Sequence, residues 1–264
     1  MKQLLIYLLI ILFCLFMADV TAQVDQIKSS SSINSSAKGS RSGERGGSSS
    51  VGFSYFFIDL IGNGIVAWQR DKLHKREINP RIVSLEFPLQ IAMQPSAYYL
   101  FNPRVRGNWG LFSTDFRVNY LIEQDINGLK DLATFDWQII QLNLITTRNV
   151  IGRVGFGTMK ENFGDMRSFL ESSFSLSVFS SDHKIGGNME YRVAKDYDIY
   201  STPRREVSVS IEKQLFTIGA FYGLVTLGGV YQRYYNNVSV WGIQAGMVFR
   251  IHRPVEFEKV EFQN

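Results

Sequence analysis

Three histidines are the first candidates for chemistry in this chain: His74, His183 and His252. A hydrolytic site needs an imidazole held by an acid or amide, with a serine or a water to activate. Only His183 has an acid beside it, Asp182, and turns produce such neighbours freely. His74 sits in a basic run with Arg70, Lys72, Lys75 and Arg76, and His252 follows the last patterned segment. Histidines scattered in this way do not make a zinc set. There is no Gly-rich phosphate loop and no nucleophile elbow. The residues therefore give no catalytic set, cofactor or metal site, and the chain reads as a non-enzyme.

The remaining chemistry lies in charged residues with a regular spacing. From Phe112, one parity reads Phe112, Thr114, Phe116, Val118, Tyr120, Ile122. The other reads Ser113, Asp115, Arg117, Asn119, Glu123, broken only by Leu111 and Leu121. Successive side chains of a strand point to opposite faces, so this strand has one apolar and one charged face. The pattern recurs over much of the chain. It puts Glu86, Arg104, Arg106, Asp115, Arg117, Glu123, Arg153, Glu171, Glu190, Arg192, Glu212 and Arg250 on a common side.

A transmembrane β-barrel turns its apolar face to lipid and its charges to the lumen. The alternation predicts such an all-β antiparallel barrel, of about ten strands (8–12). Strands are expected over 82–94, 98–106, 112–123, 135–147, 150–160, 168–179, 184–194, 207–212, 217–235 and 238–251. The middle of the fourth, Ile139-Ile140, is apolar on both faces. Tight turns are expected at Gly107-Asn108, Arg148-Asn149, 180–183 and 214–216. Longer loops are expected at 124–134, 161–167 and 195–203, a two-sided arrangement typical of outer-membrane barrels. Tyr98, Trp109, Trp137, Tyr197, Tyr200, Tyr231, Tyr234 and Tyr235 sit near strand ends, where an interfacial girdle would place them.

The elements ahead of the barrel follow from composition. Residues 1–22 read as a cleaved signal peptide: Lys2, an apolar run from Leu4 to Met17, then Val20-Thr21-Ala22 before Gln23. The only cysteine, Cys14, lies within it, so the mature chain has no disulfide. Residues 23–52 are a low-complexity, Ser- and Gly-rich linker with little to bury. Residues 53–79 read as an amphipathic helix that lies on the membrane or plugs the barrel, or as a hairpin turning at Gly62-Asn63-Gly64. The barrel spans 80–251, and a charged tail, 252–264, follows it. The formal charge of +4 is a mild excess and gives no case for nucleic acid.

The string Arg104-Val-Arg-Gly-Asn-Trp-Gly-Leu-Phe-Ser-Thr-Asp-Phe-Arg-Val-Asn-Tyr120, with Asp136-Trp137-Gln138, resembles an uncharacterised family of Bacteroidota-type outer-membrane barrels. That resemblance implies a fold and an address but no activity. One departure is the charged tail after Phe249, where many such barrels end on an aromatic.

A barrel of ten strands is narrow, so lumen charges must pair and hydrogen-bond. The favoured expectation is an integral outer-membrane barrel with an ion-paired, closed lumen and a structural or interaction role. The alternatives are a narrow transport or ligand-binding barrel and a lipid-modifying enzyme. Expected partners are outer-membrane lipid and lipopolysaccharide, the barrel-assembly machinery, and a protein contacting the exterior loops, 53–79 or the tail.

Overall fold

In a computed structural model, the described residues are 23–39, 64–77, 79–94, 98–125, 128–197 and 201–253. Ten antiparallel strands close on themselves, each bonded to its neighbours in sequence: β1 Val83–Gln94, β2 Tyr98–Trp109, β3 Phe112–Asp125, β4 Gly128–Thr146, β5 Val150–Glu161, β6 Ser168–Phe179, β7 Ile185–Asp196, β8 Ser201–Ile218, β9 Phe221–Tyr234 and β10 Val238–His252. The closing seam pairs β1 with β10, from Ser84 opposite His252 to Met93 opposite Ile243. Closure leaves no edge strand with unpaired backbone groups.

The alternation sets the two faces. Leu89, Ile91, Phe116, Phe156, Phe174, Met189, Ile211, Leu227 and Ile243 point outward and are exposed. Glu86, Asp115, Arg117, Glu171, Arg192 and Glu212 point inward and are buried. The two exceptions in the third strand have separate causes. Leu121 packs with Val24 and Ile27 at one mouth. Leu111 lies in the turn at the other mouth, where its N–H donates to Gln69 Oε1 at 2.6 Å.

Several boundaries differ from those expected. The turn after β2 falls at Gly110-Leu111, not Gly107-Asn108, and Gly110 adopts φ +63° there. The turn after β8 falls at Gly219-Ala220, not 214–216; Gly219 supplies φ +58°, which glycine tolerates and Phe216 would not. Pairing runs on through most of 124–134 and 195–203, so β4 and β8 are long and those two loops shrink. The Ile139-Ile140 ambiguity is a β-bulge between Trp137 and Ile140, which turns both isoleucines outward. A second register shift does the same for Leu144 and Ile145.

Residues 23–39 are the clearest correction: they form a helix, α1 (Gln23–Gly39), where a linker was expected. The sequence is a poor helix former, but Val24 and Ile27 are fully buried in the mouth that carries the β3–β4 and β5–β6 connections. Tertiary burial outweighs composition there. Within 53–79, residues 53–63 lie outside the described set. Ile78 is likewise outside it, and the described remainder forms α2 (Val66–His74) and a short 3-10 turn, not a hairpin. Its buried side is not the expected apolar one: Val66 and Trp68 are exposed, and Lys72 is buried. Tyr98 and Tyr234, expected in an outer girdle, instead point into the α1 mouth. Trp109, Trp137, Tyr197 and Tyr231 do face outward.

Candidate functional site: the filled lumen

The inner faces of β2, β3, β4, β6, β7 and β8 build one continuous ion-pair network. Arg104 holds Asp115 through Nε at 2.6 Å and through Nη2, and Glu190 through Nη1 and Nη2 at 2.6 and 2.9 Å. Arg192 joins Glu190 at 2.9 Å, Asp115, and Glu171 at 3.4 Å. Arg204 Nη2 bridges Glu171 at 2.8 Å and Asp136 at 2.6 Å. Arg117 then contacts Asp136 at 2.7 and 3.0 Å and Glu206 at 2.5 and 2.9 Å. Amides supply further donors: Gln138 to Glu171 at 2.5 Å, Asn119 to Asp136 at 2.6 Å, and Gln232 to Glu206 at 2.8 Å. Paired, hydrogen-bonded charges of this kind can stay ionised in a dry interior.

A second network lies nearer the mouth opposite α1. Arg250 bonds Glu86 at 2.9 Å and Glu212 at 3.2 Å. Arg81, from the 3-10 turn Pro80–Ile82, reaches in to Glu212 at 2.5 Å. Its other nitrogen donates to the His183 carbonyl at 3.0 Å, and its guanidinium lies 3.6 Å from the Phe179 ring centre. Above this plug, Lys72 Nζ donates to the Leu144 carbonyl at 3.1 Å, and Gln69 Nε2 donates to the Trp109 carbonyl at 3.1 Å. Asn79 donates to the Thr147 carbonyl at 2.9 Å. Residues 64–77 and 79–82 thus cap one mouth.

α1 lies across the other mouth. Its first backbone N–H groups, of Gln23 and Val24, donate to the two oxygens of Glu123 at 2.9 and 2.8 Å. A carboxylate at that end suits the helix dipole. Ser31 Oγ donates to Glu161 at 3.0 Å, and Tyr235 donates to the same carboxylate at 2.5 Å. Lys130 pairs with Asp25 at the rim.

All twelve residues expected in the lumen point inward, but not all join a network. Arg104, Asp115, Arg117, Glu171, Glu190 and Arg192 are in the first; Glu86, Glu212 and Arg250 are in the second. Glu123 serves α1. Arg106 comes no closer than 3.6 Å to Asp115 and 3.7 Å to Glu190. Arg153 bonds only Ser177 Oγ, at 3.2 Å, among the described residues. The sequence reading missed Arg81, Asp136, Arg204 and Glu206. Extending the parity of Ser208, Ser210 and Glu212 backwards through the eighth strand would have found Arg204 and Glu206. Arg81 lies outside any strand and carries no periodic signal.

Two of the scattered histidines meet at the capped mouth. A recess of about 60 Å3 is lined by Arg81, Asp182, His183, Tyr222 and His252. It lacks a relay geometry. The Asp182 carboxylate accepts from Ser180 Oγ at 2.5 Å and Lys184 N–H at 3.1 Å, which hold its pKa below the usual range. Burial, with Arg81 and Arg148 nearby, pushes His183 down to about 4, so its ring is neutral near pH 7. His252 stacks on Tyr222 with ring centres 4.0 Å apart, and His74 is exposed elsewhere. No group of His, Cys, Asp and Glu among the described residues is arranged to hold a metal. No protein-family model and no curated protein matches the chain.

Proposed function

We propose that this protein is an exported, integral outer-membrane barrel with a closed lumen and a structural or interaction role. One observation carries the reading: a closed barrel wears its aliphatic and aromatic residues outside and its charges inside. Soluble monomers rarely expose contiguous apolar patches beyond a few hundred Å2, whereas a lipid-facing belt requires one. The shortest strands have 12 residues, which at ~45° of tilt and ~3.4 Å per residue rise roughly 28 Å, close to a bilayer core.

The filled lumen favours closure over the conduit alternative. Two ion-pair networks occupy the interior, and residues 23–32 at one end and 64–77 with 79–82 at the other obstruct the mouths. Lys72 and Asn79 bond the barrel itself, so a protein partner would meet the loop rims, the exposed side of α2 with Val66 and Trp68, or the charged tail.

The start of α1 supports export with cleavage before Gln23. The Gln23 nitrogen lies on Glu123, which is buried and has no side-chain cation within 4 Å among the described residues. After cleavage that nitrogen is the terminal ammonium, and it becomes the missing counter-charge.

The test is fractionation with a semi-native gel, followed by planar-bilayer recording. A heat-modifiable species in outer membranes, without steady conductance, is expected, with a mature mass beginning at Gln23. A soluble, unshifted protein would overturn the membrane reading, and sustained conductance would overturn closure.

A further inference from the structure

Between the two networks lies a chamber of about 70 Å3, room for several waters or one small ion. Its wall includes Arg106, Arg153, Ser175 and Ser177. Three of these offer buried donors without a partner: Arg106 through Nε and Nη2, Arg153 through Nε, and Ser175 through Oγ. Their residues are 8%, 3% and 6% exposed. Glu86, Glu190 and Glu212 also line the chamber, but each already holds a guanidinium.

The charge count points the same way. The two networks contain six arginines and seven carboxylates. Arg106 and Arg153 raise the arginines to eight, leaving one positive charge over. Arg153 is the one with no carboxylate within 4 Å among the described residues. Glu123 and Glu161 are not in this count: both lie at the α1 mouth, where Glu123 holds the start of α1 and Glu161 accepts from Ser31 and Tyr235. A buried charge without a partner is strongly disfavoured. Water can accept from these donors but brings no charge to offset Arg153.

We propose that this chamber is a binding site for one small monovalent inorganic anion, chloride in the cell, held by Arg106, Arg153 and Ser175. The anion accepts from the free guanidinium N–H groups and the serine hydroxyl, and it offsets the local excess charge of Arg153. A divalent oxyanion would reverse the excess instead of cancelling it. Residues at both mouths narrow the route to the chamber, so the ion exchanges slowly. The proposal rests on the filled lumen and not on the membrane assignment.

The test uses the full-length protein, folded and crystallised in detergent with sodium bromide in place of chloride. An anomalous bromine peak beside Arg153 and Ser175 is expected, with one bromide per chain recovered on denaturing the desalted protein. Arg153→Gln should lose both signals. Ser175→Ala, which keeps all charges, should retain a weaker peak and release bromide faster. Water alone in the wild-type chamber would overturn the proposal, as would an undiminished peak in folded Arg153→Gln. If Arg153→Gln does not fold, unchanged bromide retention in Ser175→Ala overturns the assigned ligand set.

Discussion

Replacing Arg117 with alanine tests the lumen most directly. Its guanidinium makes paired contacts with two carboxylates, Asp136 at 2.7 and 3.0 Å and Glu206 at 2.5 and 2.9 Å. The two acids fare differently without it. Asp136 keeps Arg204 at 2.6 Å and Asn119 at 2.6 Å. Glu206 keeps only Gln232 at 2.8 Å and a distant Arg204 Nε at 4.0 Å. Glu206 is 1% exposed, so its charge has no recourse to water. Removing one partner of a buried pair costs about 3–5 kcal/mol, against about 0–1 kcal/mol for an exposed pair. Unfolding in urea from lipid vesicles, followed by tryptophan fluorescence, should show the larger loss. Arg117→Ala with Glu206→Gln should recover much of it, because the orphaned charge is gone. A loss below ~1 kcal/mol, or no recovery in the double variant, would refute an ion-paired, water-excluding lumen.

Four further outcomes are expected. Phe116→Arg, mid-strand on the outer face, should weaken insertion by roughly 2–4 kcal/mol, read by folding yield into vesicles; normal folding would mean the faces are misassigned. Gly157→Ala should block folding, since a Cβ there would lie 1.9 Å from the Trp137 carbonyl oxygen at the bulge; the heat-modifiable band should disappear. Glu123→Ala removes the acceptor of both Gln23 and Val24 N–H groups, so limited proteolysis should cut α1 faster while the barrel stays intact. The neutral form of His183 is favoured in the folded turn, with its pKa lowered from 6.5 to about 4. The unfolded turn therefore binds the proton first, so turn stability is full above pH ~6.5 and falls towards pH ~4. Hydrogen-exchange protection factors at 180–184, corrected for the intrinsic pH dependence of amide exchange, should fall over that window, and those of His183→Phe should stay constant.

Some of this molecule follows from its residues alone. The period-two alternation sets which residues share a face, because adjacent side chains of an extended chain point in opposite directions whatever they pair with. That is why Asp115, Arg117 and Glu171 were readable as interior and Phe116 and Phe174 as exterior before any fold was known. The parity breaks at Ile139-Ile140 and Leu121 were visible as well, but their meaning was not. A bulge is a relation between two strands, and a buried leucine at a mouth needs something to cover it. The pairing of Arg192 with Glu171, or of Arg117 with Glu206, depends on register and curvature, which bring strands distant in sequence across one lumen. Arg81 and α1 escaped notice for the same reason. Neither carries a periodic signal, and each is ordered by contacts that exist only once the barrel has closed. Composition gave the Ser-rich stretch after Gln23 no reason to fold. The carboxylate of Glu123 and the apolar mouth around Val24 and Ile27 supply that reason.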